Sequence, residues 1–280
     1  YTDLAGSAIY GLLAREFAPL EERLTSVEAR LRQLPRFFEQ VRESMEPARV
    51  PAVHAETALR QHAGLMSLVG TMVIPALDEV SPAARDRLES AIAVARNAAD
   101  EQQAWLENEL LPSAQAEFRL GAELFDRKLG LTLNFAMTRP EIRARAEREY
   151  ANVREAMYEV ASAVYQSKYP YVELPDQPEE ALKQAVIRAA LEEAYQRLPD
   201  RDELVAAATA ALEQTTAFVI ENDLVSVPDD PSEIVLMPEF QRGVAVAYCD
   251  SPGPLDVGQK TFYAVAPLPE DWTAEQDRSF

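Results

Sequence analysis

"YCDSPGPLDVGQKTFYAVAP", residues 248–267, decides how the chain reads. Two short runs rich in β-branched and aromatic residues flank a loop that holds Pro252, Gly253, Pro254 and Gly258. Runs of this kind, bounded by Pro, Gly and Asp, signal strands. The loop from Asp250 to Gln259 is too long for a two-residue hairpin turn. Stiffened by Pro252 and Pro254, it is expected to cover something. Before Asn222 the texture is helical throughout. The expected fold is therefore mainly α, a long-helix array with a small antiparallel sheet or hairpin near the C-terminus.

Working back from the hairpin, apolar residues recur at helical spacing. Leu204, Val205, Ala208, Leu212, Thr215, Phe218 and Val219 form one stripe. Ile142, Ala146, Tyr150, Val153, Met157, Val160 and Val164 form a second, and Leu88, Ile92, Ala95, Ala99 and Leu106 a third. Helices are expected at about 5–34, 36–46, 53–79, 82–110, 120–134, 139–168, 178–197 and 200–222, with breaks at Pro35, Pro47 to Pro51, Pro112, Pro170 to Pro178 and Pro199. Capping-box spacing occurs at Thr138/Glu141, Asp176/Glu179, Asp200/Glu203 and Thr273/Gln276. Strand signals follow at 225–227, 234–237, 244–248 and 261–265. The chain reads as one domain over 1–280, helical over 1–222 and β over 223–270. It stops soon after the hairpin and so reads as incomplete.

A formal net charge of −20 sets the surface against phosphate backbones, so nucleic acid is not an expected partner. The longest uncharged run, Gln61 to Leu77, contains Gly64, Gly70 and Pro75 and falls short of the ~20 residues a membrane-spanning helix needs. It reads as a buried core helix. One cysteine, Cys249, excludes an internal disulfide. The chain starts at Tyr1 rather than Met, so a leader or lipid anchor could have preceded it, and the compartment is open between cytoplasm and periplasm.

Signatures of catalysis are sparse. G-x-S-x-G, P-loop and G-x-G-x-x-G patterns do not occur. With His54 and His62 alone, a three-histidine metal site cannot form within this chain. The two stand eight apart on one helix face, which suits either half a metal site or two ordinary hydrogen-bonded histidines. Cys249 suits a nucleophile or a structural thiol. Glu155 and Glu159 suit an acid–base pair or a solvated face. Arg119, at a helix entry beside Gly121, could clamp a carboxylate or form an internal ion pair. Tyr248 and Tyr263 could line a cleft or serve strand packing. No catalytic residue and no metal ligand is assigned within the chain.

Three stretches carry a resemblance: "FRLGAELFDRKLG" (118–130), "AEREYANVREAMYEVA" (146–161), and "PEFQRGVAVAYCDSPGPLDVGQKTFYAVAPLPEDW" (238–272) followed by "RSF" at the end. They resemble the bacterial domain-of-unknown-function 885 family from about Ala116 onward, most specifically in the last forty residues. The helices before residue 110 fit only in a general way. The resemblance implies a zinc-peptidase-like protein, with long helices around a cleft, a small sheet at its wall and a metal helix. It implies a His-Glu segment followed by Pro-Gly-His, just after a Ser-Phe-Leu-Arg-Glu-Tyr type stretch. Ser279-Phe280 lies at the threshold of that stretch, so no metal ligand is carried onto this sequence.

The reading that results is the N-terminal and middle, cleft-wall part of a metal-dependent peptidase-like hydrolase. Zinc is expected in the complete protein, a peptide as substrate, and a further C-terminal segment to complete the fold. Arg119, Tyr248 and Tyr263 are the expected substrate-binding residues. The alternative is a non-catalytic helical interaction protein that uses the hairpin as a docking edge.

Overall fold

The computed structural model describes residues 1–270 and 272–279. Helices α1 (Thr2–Leu13), α2 (Leu20–Ser44), α3 (Ala52–Leu68), α4 (Pro82–Trp105), α5 (Gly121–Leu133), α6 (Arg139–Lys168), α7 (Glu180–Tyr195) and α8 (Leu204–Glu221) come first. Strands β1 (Ser232–Leu236), β2 (Ala247–Asp250) and β3 (Thr261–Val265) and helix α9 (Ala274–Ser279) follow. The chain is mainly helical with a small sheet near its C-terminus, as its periodicities require. Two compact units result: Tyr1–Phe118 with the chain from Arg201 through the sheet, and Arg119–Asp200 with Trp272–Ser279.

In the first unit the core is a seam between α2 and α4. Leu24, Val27, Leu31, Leu34, Phe38 and Val41 alternate at three- and four-residue steps and are all buried. They meet Leu88, Ala91, Ile92, Ala95, Ala98 and Ala99, whose small side chains let the two helices approach closely. Each fully buried Leu or Phe contributes about 1.5–3 kcal/mol by leaving water. That seam explains a departure from expectation at Pro35. The proline removes one backbone donor, yet α2 runs straight through it, because Leu31, Leu34 and Phe38 on either side are held by the core. The break falls instead at residues 14–19, where Pro19 precedes Leu20 and the acidic first turn Glu21-Glu22.

Both α3 and α4 continue into a π turn, Val69–Val73 and Leu106–Leu110. In each, the residue after the turn donates to the carbonyl five back, Ile74 to Val69 and Leu111 to Leu106. A proline follows at once, Pro75 and Pro112. A proline ring in an ordinary helix strikes the carbonyl four residues back. One wide turn moves that carbonyl aside, so the helix bulges and continues. At Pro112 the helix ends one residue on, at Ser113, as the expected break requires, and before Pro75 the π turn replaces the expected uniform helix.

The sheet order is β1-β3-β2, with β2 antiparallel and β1 parallel to β3. The expected hairpin is β2 with β3. The addition of β1 makes the sheet mixed rather than purely antiparallel. Val225 to Val227 is not a strand. It follows directly on α8, whose end is turned by Asp223 at φ 49°, and Pro228 and Pro231 limit backbone donors nearby.

One short turn ties the C-terminal part to the N-terminal helices. The 3-10 turn Glu239–Gln241 drives Phe240, fully buried, between α1 and α3. Glycines make the slot. A Cβ on Gly6 would lie 2.2 Å from the Phe240 ring, and one on Gly64 would lie 2.4 Å from the Phe240 backbone nitrogen. No side chain other than hydrogen fits at either position.

The second unit has little interior. Ala161 of α6 meets Val186 and Ile187 of α7, with Tyr158, Tyr165 and Leu182 partly buried around them. Arg154 donates to Glu180 (3.1 Å) and to Gln184 (2.7 Å), and Lys183 pairs with Glu155. Thr138 and Glu141 form the expected capping box, and Thr273 with Gln276 another. The boxes expected at Asp176 and Asp200 do not form. Pro178 delays α7 until Glu180, and a 3-10 turn, Arg201–Glu203, precedes α8. The α6 stripe from Ile142 to Val164 is not buried. Its neighbouring face, through Ala161, is the one that meets α7.

Candidate functional site

The first unit holds a groove beside β1. Because β3 is central, β1 has a second edge that meets no strand among the described residues. The hydrogen bonds fix which of its amides are used. Thr261 donates to the Pro231 carbonyl at 3.0 Å and Met237 donates to the Val265 carbonyl at 2.8 Å. Alternate residues of a strand turn their backbone groups to opposite sides. The odd positions 231–237 therefore serve β3, and Ile234 and Leu236 turn N–H and C=O to the open side.

Two recesses lie against β1, the larger over the sheet face that β1 shares with β3. The smaller, about 230 Å³, is lined by Thr71, Met72, Leu236 and Glu239. The larger, about 640 Å³, is lined by Arg15, Glu233, Val235, Lys260 and Phe262. They share Tyr10, Met72 and Leu236. Helix α8 also packs near β1 but contributes no residue to either recess. The groove thus runs between β1 and the π turn of α3, which presents Thr71 and Met72. The smaller recess is mostly apolar, the larger mixes Arg15, Glu16, Glu233 and Lys260 with Val235 and Phe262, and β1 offers unpaired strand backbone beside them, an arrangement that can accept an extended chain as an added strand.

Arg15 closes one end. Its Nη1 donates to Asp250 Oδ2 at 3.0 Å and its Nη2 to the Asp250 carbonyl at 2.7 Å, while the guanidinium lies 4.6 Å over the Phe262 ring. Both contacts fasten the hairpin to the end of α1. Lys260 pairs with Glu233 at 2.7 Å. The Tyr10 phenol is raised above its ordinary value, first by burial and then by the Asp250 charge, with Arg15 opposing. Tyr10 and Tyr248 are therefore neutral donors at physiological pH rather than bases.

The residues expected to bind substrate are not gathered at this groove. Tyr248 pairs across the ladder with Ala264, and Tyr263 with Cys249. Cross-strand partners share a face, so the two tyrosines point to opposite sides of the sheet. Tyr248 faces the helices and donates to the Gln241 amide oxygen. Burial comes first among the causes that push its pKa up. Tyr263 stands on the other face, 40% exposed, beside Ile234 and the exposed Cys249. Arg119 belongs to the second unit, exposed ahead of α5, where Gly121 takes φ 75°. The loop 250–259 carries Leu255 and Val257 almost fully exposed, so these two side chains cover nothing described.

Among the described residues no three His, Cys, Asp or Glu side chains converge. His54 is exposed. His62 is buried with both nitrogens engaged. Nε2 lies 2.9 Å from the Ala99 carbonyl, which can only accept, so Nε2 carries the proton. Nδ1 then accepts from the Tyr1 hydroxyl at 3.2 Å. Burial is the leading cause that lowers the His62 pKa, with the Ala99 carbonyl and Asp100 opposing.

The native state thus binds this proton less readily than the unfolded chain, whose histidine titrates at about 6.5. The stability contributed is present above that value and is lost as pH falls below it. The melting temperature should drop from pH 7 to pH 5, and H62Q should flatten part of that slope. Equal slopes for the two proteins would show that His62 takes no part.

Nothing in the local sequence pattern marks the groove. Arg15 reads as mid-helix, and the π turn at Val69–Val73 as uniform helix. The available signals are Pro19, which ends the preceding segment, and the placement of Pro75 inside an apolar run.

Among known proteins, the family described as "Bacterial protein of unknown function (DUF885)" matches residues 2–279. The matched span takes in the helices ahead of Ala116, where the resemblance is only general. A solved structure described as a "putative lipoprotein of unknown function" from Shewanella oneidensis is similar over 99% of this chain and 48% of its own, with a TM-score of 0.61 and 23% identity. At that identity the likeness is one of fold. The chain spans about half the length of that solved structure. No curated protein matches it.

Proposed function

The chain belongs to the bacterial DUF885 family of proteins of unknown function, and on that premise we propose that it forms the cleft wall of a peptidase-like hydrolase, with the β1 groove as the place where an extended peptide lies. The observation that carries the reading is the β1 edge that meets no strand among the described residues, beside a groove with one apolar and one mixed recess. Main-chain bonds to Ile234 and Leu236 would hold a peptide of any sequence. The recesses at Met72 and Phe262 would select its side chains.

In this reading the chemistry that cleaves the peptide comes from a further segment, zinc with its ligands and a glutamate base. Among the described residues of this chain no metal-ligand cluster is present to hold that zinc. The second reading is a docking protein that takes a partner's strand at the same edge without cleaving it.

The product of the complete gene separates the two readings. Stoichiometric zinc and hydrolysis of unstructured peptides are expected of it, whereas the 280-residue chain alone should bind no tight zinc and cleave nothing. A metal-free complete protein that binds peptides and returns them intact would leave the docking reading.

A further inference from the structure

The second unit leaves one ordered apolar face open. On α6, Tyr150, Val153, Met157, Val160 and Val164 recur at steps of three, four, three and four. That is the spacing of a coiled-coil seam. All five are between 40% and 71% exposed. Beside them on the same face stand Ala156 and Ala163, also exposed and small enough to admit a neighbouring helix closely. The opposite flank, through Ala161, is already occupied by α7.

The unit needs that face covered. In the 119–200 span, Ala161, Val186 and Ile187 are the fully buried residues among those described, and α5 contributes none. A core of that size does not hold about 80 residues together by itself.

From this we infer that the α6 stripe seats an amphipathic helix contributed by a further segment of the same polypeptide, one with apolar residues at the same three-and-four spacing. The spacing specifies a helix as occupant, because only a helix presents knobs at that interval. The area argues for a tethered one. From Tyr150 to Val164 the seam is about 21 Å long and about 10 Å wide. One helical face about four turns long lies below the ~800 Å² of accessible surface per partner that a stable complex of separate molecules buries. A second copy would be held too weakly on this seam alone. A covalently linked helix binds at millimolar effective concentration and needs no such area. The chain length required exists in the fold relative, of which this chain matches 48%. The inference rests on that length and on the exposed seam, not on the hydrolase reading.

Thiol labelling tests it. With Cys249 replaced by serine, V160C places one thiol in the seam and E159C, in a separate protein, places one beside it on the solvent side. In the 280-residue chain both should react quickly. In the complete gene product V160C should react at least tenfold more slowly while E159C keeps its rate. Equal rates for V160C in the two proteins would overturn the inference, as would equal slowing of V160C and E159C. Protection of V160C that rises with concentration in the 280-residue chain would give the seam to a second copy and overturn it. A coding sequence that ends with this chain would do the same. Peptide hydrolysis plays no part in the readout, so failure of the hydrolase reading leaves this result unchanged.

Discussion

Truncation of Phe240 to alanine should cost about 3–5 kcal/mol of stability, the usual range for a fully buried phenylalanine. Domains are stable by about 5–15 kcal/mol, so this is a large part of the total. The reason lies in the site. Phe240 is completely enclosed, and the slot that receives it is formed by two glycines on different helices. The residues around it cannot collapse into the void without moving α1 toward α3. G64A should be damaging for the complementary reason. Its Cβ would fall 2.4 Å from a backbone nitrogen, which no rotamer change relieves. Gly70 serves as control. Nothing lies within 4 Å of the place where its Cβ would stand, and a helical Gly→Ala there should be neutral or stabilising by up to about 1 kcal/mol. Urea denaturation of the three variants measures this directly. A loss under about 1 kcal/mol for F240A would show that the turn is not a principal tie between the C-terminal part and the helices.

The second large effect concerns the β1 edge. L236P removes an N–H that points away from β3 and leaves the ladder bonds of Val235 and Met237 in place. Proline is tolerated on an edge strand for that reason. L236A keeps the N–H and removes the side chain. In the complete protein, L236P should lower peptide affinity, and with it hydrolysis, at least a hundredfold, while L236A should stay within about tenfold and both should melt within a few degrees of the parent. The loss corresponds to about 2.7 kcal/mol, the scale of one main-chain hydrogen bond removed with the peptide carbonyl left unpaired against the proline ring. Unchanged peptide affinity in a folded L236P would remove the β1 edge from the reading, whatever the protein proves to catalyse.

Helices are legible in the sequence wherever an apolar stripe meets a partner stripe. Leu88, Ile92, Ala95, Ala99 and Leu106 read as one face and are all buried. The α6 stripe is just as regular and is exposed, because periodicity reports that a face is apolar and says nothing of what lies against it. Prolines mislead. Pro35 reads as a break but sits in a helix that a buried seam holds together. Pro112 is the exception, since the helix ends one residue after it at Ser113, whereas Pro75 follows a π turn inside a run that reads as plain helix. The hairpin is legible from its β-branched runs. The parallel partner of β3 is not, since its pairing spans residues 232–265 and depends on contacts no local pattern encodes. The site is less legible than the fold. Tyr248 and Tyr263 are both strand tyrosines, but which face each takes depends on register, and a register is a property of two strands together. Arg15 carries no motif at all. It acquires a role only when Asp250 arrives beside it.

That last pairing bears on how the chain comes to be made. Arg15 and Asp250 are 235 positions apart, and Gly6 and Gly64 likewise wait for Phe240. At synthesis rates of about 5–20 residues per second, roughly 12–47 s separate the emergence of the two partners. For that interval the nascent α1 and α3 hold an empty apolar slot between two glycine faces, with no contact from the chain yet to come. The α2–α4 seam, complete once residue 99 is out, can form early. The slot cannot, so the newborn molecule carries an unfilled hole next to a finished core until residue 240 has emerged.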